Sequence, residues 1–555
     1  MNQNLLALIA LLSPLFFVAT AITSWFQPGL RPKTVKFIGI FSTIISIAVS
    51  AICGFLVVRY QLLETAFLGI QEIGFSLRLD AVSIIMFAMI ALLSFIIVKY
   101  SFNYLDGDER QGVFIGRLAA TIASVQLLVL SGNLGLLFVA WVLTSISLHR
   151  LLVFYRERPV AIIAARKKYI LARLGDACLL AAVISLYTQF NTGNLEIIFQ
   201  EIKNSMATGA SLKGLETAAI FIVAAALLKS AQFPTHGWLI EVMETPTPVS
   251  ALLHAGLLNA GPFLIVRMSF LIDASSYAPV ILIIVGGLTA LFASVVFLTQ
   301  TSIKTALAYS SVAHMGFSLM VCGLGVYPAA MLHLVAHSFY KAHSFLASGS
   351  VIDVIRSSKI TKAKRLGSPL KIIVGIALAI GIYAAFAVVW GIDPVKEFSL
   401  LVIGAIIVLG LSRIFTSALD SNGGAKLIIR ASFIALIVTT SFFTLETIMH
   451  SLLNAQVPEL VRPSNLKIIL VSILLLVFTA TVFIQILAPV VAHKPYFRAL
   501  AIHIRNGLYI NTVFDRTVRA LYAHGTQRKP EVVESVENIE KLEPIYLEDF
   551  KQQPA

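Results

Sequence analysis

Residues Ile220–Pro234 read IFIVAAALLKSAQFP, an apolar run that ends in a lysine, Lys229, and a proline. About fourteen apolar residues with one interruption precede Lys229, too many for a lysine that only extends its amine to the headgroups. Proline breaks a helix, and broken helices in transporters often line ion sites. We therefore predict a discontinuous membrane helix with Lys229 as a proton carrier; a lysine neutralised by one static carboxylate is the alternative.

The composition places the whole chain in a membrane. Of its 555 residues, 58% are hydrophobic and 13% charged, and the mean hydropathy is +0.88, whereas about 25% of residues are charged in soluble domains. The net charge of +14 lies mainly in loops and tail, where membrane orientation explains it, so no nucleic-acid partner is predicted. Cys53, Cys178 and Cys322 stand singly in apolar runs and indicate neither disulfides nor a metal cluster.

Apolar runs of about 18 to 25 residues predict an all-α polytopic membrane protein with about 15 transmembrane helices. The predicted ranges are 5–25, 35–58, 81–102, 113–131, 133–155, 168–190, 215–232, 248–271, 278–299, 303–324, 327–352, 370–391, 398–419, 427–449 and 467–491. They form a transmembrane domain over 1–491. Residues 492–555 are predicted to be a cytoplasmic tail with an interfacial or docking segment; a loosely ordered tail is the alternative.

The loops predict the orientation in the lipid bilayer. Cytoplasmic loops carry an excess of lysine and arginine, and the basic loops here follow odd-numbered predicted helices. These residues include Arg31, Lys33, Lys36, Arg156, Arg158, Arg166, Lys167, Lys168, Arg356, Lys359, Lys362, Lys364, Arg365, Lys494, Arg498 and Arg505. We predict an N-terminus outside and a cytoplasmic C-terminus in a bacterial inner membrane.

Further ionisable residues lie inside the predicted membrane helices. In HLVAHSFYKAHSF, residues 333–345, the titratable residues His333, His337 and Lys341 recur every four residues, so their side chains stack as a column on one helix face. Neutral imidazoles can pass protons through water, which predicts a relay, although a lone buried histidine is more often structural and Lys304 could be a cytoplasmic anchor. The candidate path residues beside Lys229 are His254, Lys304, His314, His333, His337 and Lys341.

Metal binding is the rival interpretation, since histidines at i and i+4 can chelate. No nearby carboxylate or thiol completes a site, so neither a metal nor another cofactor is predicted. Arg173 and Asp176 are spaced as an i, i+3 ion pair that is either structural or tunes the lysine. Glu241 and Glu244 lie between Lys229 and His254, where they shape a proton entrance or only cap helices. With no phosphate loop or nucleophile triad, the chain is interpreted as a conduit rather than an enzyme.

Three stretches carry a resemblance: LKSAQFPTHGWLIEVMETPTPVSALLHAG, IKTALAYSSVAHMGF and HLVAHSFYKAHSFLASGSVI. They strongly resemble the proton-translocating antiporter-like subunits of respiratory complex I and of Mrp-type cation antiporters. The resemblance implies an antiporter-like fold with discontinuous helices and inverted repeats. It also implies that Lys229, His254, His337 and Lys341 fall on proton-path positions and Asp176 on a functionally important acid.

The chain departs from that family at two functional positions. Family members usually carry a glutamate directly after the tryptophan of the fifth helix, paired with the lysine of the seventh; here the residue after Trp141 is Val142. The family's exit lysine in the twelfth helix has Lys396 as its nearest counterpart, close to the interface. These departures favour a stand-alone member over an ordinary complex I subunit.

The stretches HRLLVFYRERP, AARKKYILARLGD and WGIDP, with this tail, are most similar to the membrane subunits of DAB-type inorganic carbon pumps. This implies a proton- or sodium-translocating subunit that couples cation flow to CO2 and bicarbonate uptake. It also implies a soluble, zinc-containing, DabA-like partner with a carbonic-anhydrase-like site, docked on the cytoplasmic side. The alternatives are an ion-pumping subunit of a complex I-like redox complex, an Mrp-type cation/proton antiporter and a structural membrane scaffold.

Overall fold

The computed structural model describes residues 3–155, 157–208, 214–242, 245–349, 369–420, 424–491 and 494–523. Helices dominate these ranges, because in lipid a helix satisfies its own backbone hydrogen bonds. The first helices are α1 Gln3–Ala7, α2 Leu12–Phe26, α3 Lys33–Tyr60, α4 Ala81–Tyr104, α5 Gln111–Val129, α6 Leu134–Leu152, α7 Pro159–Phe190, α8 Leu195–Thr208, α9 Leu215–Lys229, α10 Gly237–Glu241, α11 Thr247–Ala255 and α12 Ala260–Arg267. The remaining helices are α13 Ser269–Asp273, α14 Ala278–Phe297, α15 Ile303–Gly323, α16 Tyr327–Leu346, α17 Pro369–Trp390, α18 Phe398–Asp420, α19 Gly424–Leu453, α20 Asn465–Val491, α21 Pro495–Arg505 and α22 Ile510–Ala523.

Twelve helices within the described ranges are long and apolar enough to cross a membrane. They coincide with twelve of the predicted spans, which confirms an all-α polytopic membrane fold. The other three predicted spans correspond to α9, α16 and α18. Helix α9 stops after 15 residues at Lys229, α16 carries three histidines and a lysine, and the apolar part of α18 is the shorter stretch Phe398–Gly410.

Two membrane helices are discontinuous, and the first break is the one predicted from Lys229 and Pro234. After α9, Ala231 adopts a left-handed backbone conformation with φ of 51°, and the chain resumes as the short α10. A second break at Gly256 separates α11 from α12, with a 3-10 turn between them. At Gly261 an added Cβ would lie 2.0 Å from the Ser230 hydroxyl oxygen, so glycine is required for α12 to pack against the end of α9.

Two small antiparallel sheets lie between α3 and α4. Strand β1 Leu63–Glu64 pairs with β4 Arg78–Leu79, and β2 Leu68–Ile70 pairs with β3 Ile73–Phe75. The turn of the second pair places Gln71 and Glu72 at φ of 48° and 62°, the geometry of a two-residue hairpin whose twist matches its strands. These strands were not predicted from the sequence, since they are too short to show an alternating pattern.

A buried ion-pair network ties this sheet to the helical bundle. Asp80 caps α4 by accepting from the Ser83 backbone N–H at 2.8 Å. Its carboxylate also meets Arg267 of α12 at 2.6 Å and Arg78 of β4 at 2.7 Å. Burial acts to raise the pKa of Asp80, but the two guanidinium groups prevail and lower it. The carboxylate therefore stays ionised, and stabilising, at pH values above its usual pKa of 3.8.

The chain divides into two compact units, 1–511 and 512–555. The first 20 residues of the predicted tail, 492–511, thus belong to the larger unit. Arg505 donates to the Thr301 hydroxyl at 3.0 Å, and Gln300 donates to the Arg505 carbonyl at 3.0 Å. The segment predicted as a docking tail therefore begins with α21 attached to the end of α14. Residues 524–555 lie outside the described ranges.

Asp80→Ala is expected to lower the free energy of unfolding by about 3 to 5 kcal/mol, because it leaves the buried Arg267 guanidinium without its counter-charge. Arg78 keeps the Glu196 carboxylate at 2.6 Å. Thermal unfolding of the detergent-solubilised protein measures the loss. Asp106→Ala is the control: its side chain is 55% exposed and pairs with Lys36 at 3.6 Å, so little change is expected. Equal effects of the two substitutions would contradict the structural role of Asp80.

Candidate functional site

Lys229 is held by oxygen atoms of α6. Its ammonium donates to the Ser145 hydroxyl at 2.6 Å, the Thr144 hydroxyl at 2.9 Å and the Trp141 carbonyl at 3.1 Å. The three residues recur at i, i+3 and i+4, which places them on one helix face. The ammonium also lies 4.3 Å from the centre of a Trp141 ring, a cation–π distance. None of these partners is a carboxylate, so hydroxyls and a carbonyl surround the amine where the family usually has a glutamate.

Lys229 is the last residue of α9, and this position also favours its charged form. The carbonyl groups at a helix C-terminus carry a partial negative charge, which stabilises a cation there. A membrane helix that continued past Lys229 would use those carbonyls in its own hydrogen bonds. The break predicted from Pro234 therefore contributes directly to the environment of the amine.

Lys168 is a site residue that the sequence analysis missed. It was placed in a cytoplasmic loop, but α7 already begins at Pro159 and buries Lys168 within the bundle. Its ammonium donates to the Ser145 carbonyl at 2.8 Å, so Lys168 and Lys229 approach the same residue of α6. The run of basic residues before α7 hid the helix start, because charge is the usual signal for a loop.

Arg173 and Asp176 form the predicted i, i+3 ion pair on α7, with 2.6 Å between their nearest atoms. Asp176 is buried while Arg173 is half-exposed. Asp176 also acts electrostatically on Lys229, Arg173 and Lys168. Near Lys229 the described residues thus place one carboxylate among three cationic side chains.

Lys167 and Glu241 form a second ion pair that was not predicted as such. The Lys167 ammonium is fully buried and donates to both carboxylate oxygens of Glu241 at 2.6 Å. Glu241 also accepts a hydrogen bond from the Asn511 side chain. Glu241 therefore joins α7, α10 and the C-terminal segment, which goes beyond capping a helix. Glu244, its predicted companion, lies outside the described residues.

The histidine column is assembled from two neighbouring helices. His314 of α15 and His333 of α16 have ring nitrogens 3.3 Å apart, a hydrogen bond whose donor depends on the tautomers. The His337 ring centre lies 5.0 Å from that of His314 and 5.9 Å from that of His333. The four-residue spacing thus placed His333 and His337 on one face as predicted, and the tertiary packing added His314.

Lys341 continues the same face of α16 and is fully buried. Its ammonium donates to the Leu307 backbone carbonyl of α15 at 3.2 Å. Lys304, one turn earlier on α15, donates weakly to the Thr247 hydroxyl at 3.4 Å. His254 of α11 stacks on Phe345 with 4.3 Å between ring centres. His254 of α11 and His314 of α15 therefore contact α16, whereas the partner of Lys304 is Thr247, at the start of α11.

Buried polar side chains connect the two groups of residues. The Ser230 hydroxyl, directly after Lys229, donates to the Leu258 carbonyl at 3.2 Å. The next residue, Asn259, donates from its side chain to the Ser338 hydroxyl at 2.6 Å, and Ser338 follows His337. Ser230, Asn259 and Ser338 are fully buried. The turn between α11 and α12 thus bridges the lysine of α9 and the column of α16.

Several buried polar atoms along this bridge have no hydrogen-bond partner among the described residues. They include both ring nitrogens of His254 and of His337 and the side-chain oxygen of Asn259. Buried polar groups usually bond either to protein or to ordered water, so a site of this kind suits bound water. Among all the residues that the structure describes, no group of three or more His, Cys, Asp or Glu residues is placed to hold a metal ion.

A double-mutant cycle is expected to show coupling between Lys167 and Glu241. Lys167→Met and Glu241→Gln should each lower the free energy of unfolding by about 1 to 3 kcal/mol, because each removes the charge that compensates the other member of the pair. The double variant should be more stable than the sum of the two losses predicts. Thermal unfolding measures all three variants, and simple additivity would mean that the pair does not interact.

Two family models match the chain. The model described as "NADH:quinone oxidoreductase/Mrp antiporter, TM" matches residues 131–388. The model described as "NADH-Ubiquinone oxidoreductase (complex I), chain 5 N-terminus" matches residues 68–115. These ranges include the Asp80 network, both broken helices and the histidine column.

Solved structures agree on the fold. A chain of the Mrp complex from Dietzia sp. superposes with a TM-score of 0.62 at 21% identity, over 94% of this chain and 60% of that one. A chain of an archaeal membrane-bound sulfane sulfur reductase gives 0.55 at 17% identity, over 93% and 100% of the two chains. Identities this low support the shared antiporter-like architecture alone.

Relatives with curated names identify the family more narrowly than the fold does. The probable inorganic carbon transporter subunit DabB2 of Halothiobacillus neapolitanus is 35% identical over 492 residues, 87% of this chain and 88% of the relative. The probable subunit DabB of Hydrogenovibrio crunogenus is 43% identical over 283 residues, about half of each chain (51% and 54%). The protein therefore belongs to the DabB family of inorganic carbon transporter subunits, within the wider group of complex I and Mrp antiporter-like membrane proteins.

Proposed function

We propose that this chain is the proton-translocating membrane subunit of a two-component inorganic carbon transporter. Protons move through the path from Lys229 to Lys341, and their flow makes CO2 hydration by a soluble partner directional. That partner is a zinc-containing DabA-like subunit with a carbonic-anhydrase-like site, so bond chemistry takes place outside this chain. The names of the curated relatives and the chemistry of the buried site support this function.

The observation that carries the proposal is the set of neutral partners around Lys229 and around the buried Lys341. Lys229 is held by two hydroxyls and a carbonyl, and Lys341 by a carbonyl. When such a lysine loses its proton, no directly paired carboxylate is left behind in the low-dielectric interior. Both protonation states are therefore accessible, as proton carriage requires. A lysine locked to a static carboxylate would resist this change.

The middle of the path depends on imidazoles and water. His254 and His337 have ring nitrogens that bond to no described residue, while His314 and His333 bond to each other. A neutral imidazole can accept a proton on one nitrogen and release another, so bridging waters would complete a relay. The Asn259–Ser338 contact places the turn beside Lys229 next to this group. The sequence order from α9 through α11 to α16 thus matches a continuous route.

The transported cation is proposed to be a proton rather than sodium. The buried groups along the route are mainly amines and imidazoles, which bind and release protons. Hard cations prefer a shell of oxygen ligands, usually including carboxylates. The buried carboxylates Asp176 and Glu241 are already engaged by Arg173 and Lys167.

The partner is proposed to dock on the cytoplasmic side. Basic residues follow α2 at Arg31, Lys33 and Lys36, and others lie in the tail at Lys494 and Arg498, as expected for a cytoplasmic face. Helix α21 and residues up to Asn511 belong to the membrane unit, which gives the rest of the tail a fixed point of origin. This orientation leaves the N-terminus outside.

Each rival function predicts a different set of partner subunits. A redox pump module requires quinone-reactive and iron–sulfur subunits, and an Mrp-type antiporter requires a set of small membrane subunits. A carbon pump requires one large soluble zinc protein. A structural scaffold would need its buried amines only as fixed ion pairs, and the hydroxyl environment of Lys229 does not favour that role.

Lys229→Ala and Lys341→Ala are expected to abolish carbon supply, because each removes a proton-carrying group. The chain and its candidate partner are expressed in a carbonic-anhydrase-deficient bacterial host, and growth at ambient CO2 is measured. Lys229→Arg should also fail, since a guanidinium keeps its proton and cannot deliver it. Lys426→Ala is the control, because Lys426 is exposed near the start of α19, and full growth is expected.

The protein level in the membrane is measured for every variant. Rescue that survives the changes at Lys229 and Lys341 would refute the proton-path assignment. Rescue that needs no candidate partner would refute the two-component arrangement. Rescue that depends on external sodium at constant pH would replace the proton with sodium as the coupling ion.

A further inference from the structure

Lys168 is a buried lysine for which the proposed path has no role so far. It lies on α7, shielded from solvent, at the level of Ser145 on α6. The resemblance to complex I and Mrp subunits did not place it in the proton path, and the sequence pattern assigned it to a loop. A second amine next to a proton-carrying lysine calls for a physical explanation, because like charges in a water-poor interior repel strongly.

We propose that Lys168 controls the release of the proton from Lys229, acting as a cationic neighbour in an environment that lacks the glutamate expected after Trp141. The inference rests on the proposed proton-translocating function. Lys168 is a positioning residue here. From its place on α7, its positive charge weakens the binding of a proton to Lys229.

The geometry brings both amines to one residue. The Lys168 ammonium bonds to the Ser145 carbonyl at 2.8 Å, and the Lys229 ammonium bonds to the Ser145 hydroxyl at 2.6 Å. The two lysines come from α7 and α9, two helices that pack against each other. Ser145 itself is buried, and water cannot screen the pair as it would at a surface.

The other charged groups near the pair do not cancel this repulsion. On α7, Asp176 attracts both amines, but it is paired with Arg173 at 2.6 Å. On α6, His149 adds a titratable ring that interacts with Lys168. Trp141 contributes the face of its ring and a carbonyl to Lys229. Among the described residues around the pair, cationic groups outnumber the single carboxylate.

The consequence is a difference in how the lysine works. A lysine beside a glutamate is stabilised in its charged form, so the pair must separate before the proton leaves. A lysine beside a second ammonium is destabilised in its charged form, and release is favoured without separation. Val142 occupies the position of the family's glutamate, and the buried Lys168 replaces attraction by repulsion. The two arrangements provide opposite ways to prepare the same lysine for proton exchange.

A purely structural role for Lys168 is the competing explanation. In that case its hydrogen bond to the Ser145 carbonyl matters and its charge does not. Lys168→Gln keeps a hydrogen-bond donor and removes the charge, whereas Lys168→Arg keeps the charge in a group that cannot lose its proton. These two variants therefore separate the effect of charge from the effect of the hydrogen bond.

The test measures carbon-dependent proton flux across a range of pH in inverted membrane vesicles that contain this chain and its soluble partner. Flux should fall at alkaline pH, where Lys229 no longer binds a proton. In Lys168→Gln this alkaline limit should move to higher pH by about 1 unit or more, because a repelling charge is gone. In Lys168→Arg it should stay in place or move lower. Lys203→Gln, an exposed lysine on α8, is the control and should leave the profile unchanged.

A second measurement does not depend on flux. Competitive acetylation of Lys229 with acetic anhydride, followed by mass spectrometry at several pH values, reports the proton affinity of its amine. The labelling curve should move to higher pH in Lys168→Gln and not in Lys168→Arg. If the labelling curve shifts in this way but the wild-type protein shows no proton flux, the proposed function is refuted while the coupling between the two lysines stands.

Three results would overturn the inference. The first is an unchanged alkaline limit and labelling curve in Lys168→Gln. The second is an equal shift in Lys168→Gln and Lys168→Arg, which would assign the effect to packing. The third is complete loss of flux in both variants at normal membrane levels and unfolding temperature, which would make Lys168 an obligatory carrier instead of a neighbour that tunes Lys229.

Discussion

The cost of placing charge in a water-poor interior governs both the stability of this protein and its proposed activity. A buried ion retains several kcal/mol of desolvation penalty unless other groups replace its water. At Asp80 the replacement is complete, because two guanidinium groups and a backbone N–H surround one carboxylate. At Lys229 it is partial, since hydroxyls and a carbonyl stabilise the ammonium without an opposite charge in contact. The first arrangement fixes a protonation state, whereas the second allows it to change.

The breaks in the membrane helices also supply polar groups that replace water around buried charge. The end of α9 gives Lys229 the partial negative charge of a helix C-terminus. The turn between α11 and α12 directs Asn259 towards Ser338, so a polar contact crosses the bundle between two apolar surfaces. Gly261 makes this possible, because a larger residue would collide with Ser230 at the end of α9. Irregular backbone at these two breaks thus supplies polar groups to the proposed path.

Patterns local in sequence predicted much of this structure correctly. Apolar runs located twelve spans, since hydropathy and length alone decide whether a helix suits a bilayer. The four-residue spacing of His333, His337 and Lys341 predicted their common face, because helix geometry fixes the direction of successive side chains. The spacing of Arg173 and Asp176 predicted their ion pair for the same reason. The strands between α3 and α4 escaped prediction because two or three residues are too few to show an alternating pattern.

The sequence by itself determined that this protein is a membrane bundle with ionisable groups at set helical positions, because both properties follow from composition and the period of the helix. Only the tertiary structure decided which groups meet. Lys167 and Lys168 resembled loop charges until α7 carried them into the bundle, one against Glu241 and the other against Ser145. The partners of Lys229 were likewise unreadable, since Trp141, Thr144 and Ser145 lie more than 80 residues away along the chain. Contacts between distant segments depend on how helices pack, and no local pattern records that packing.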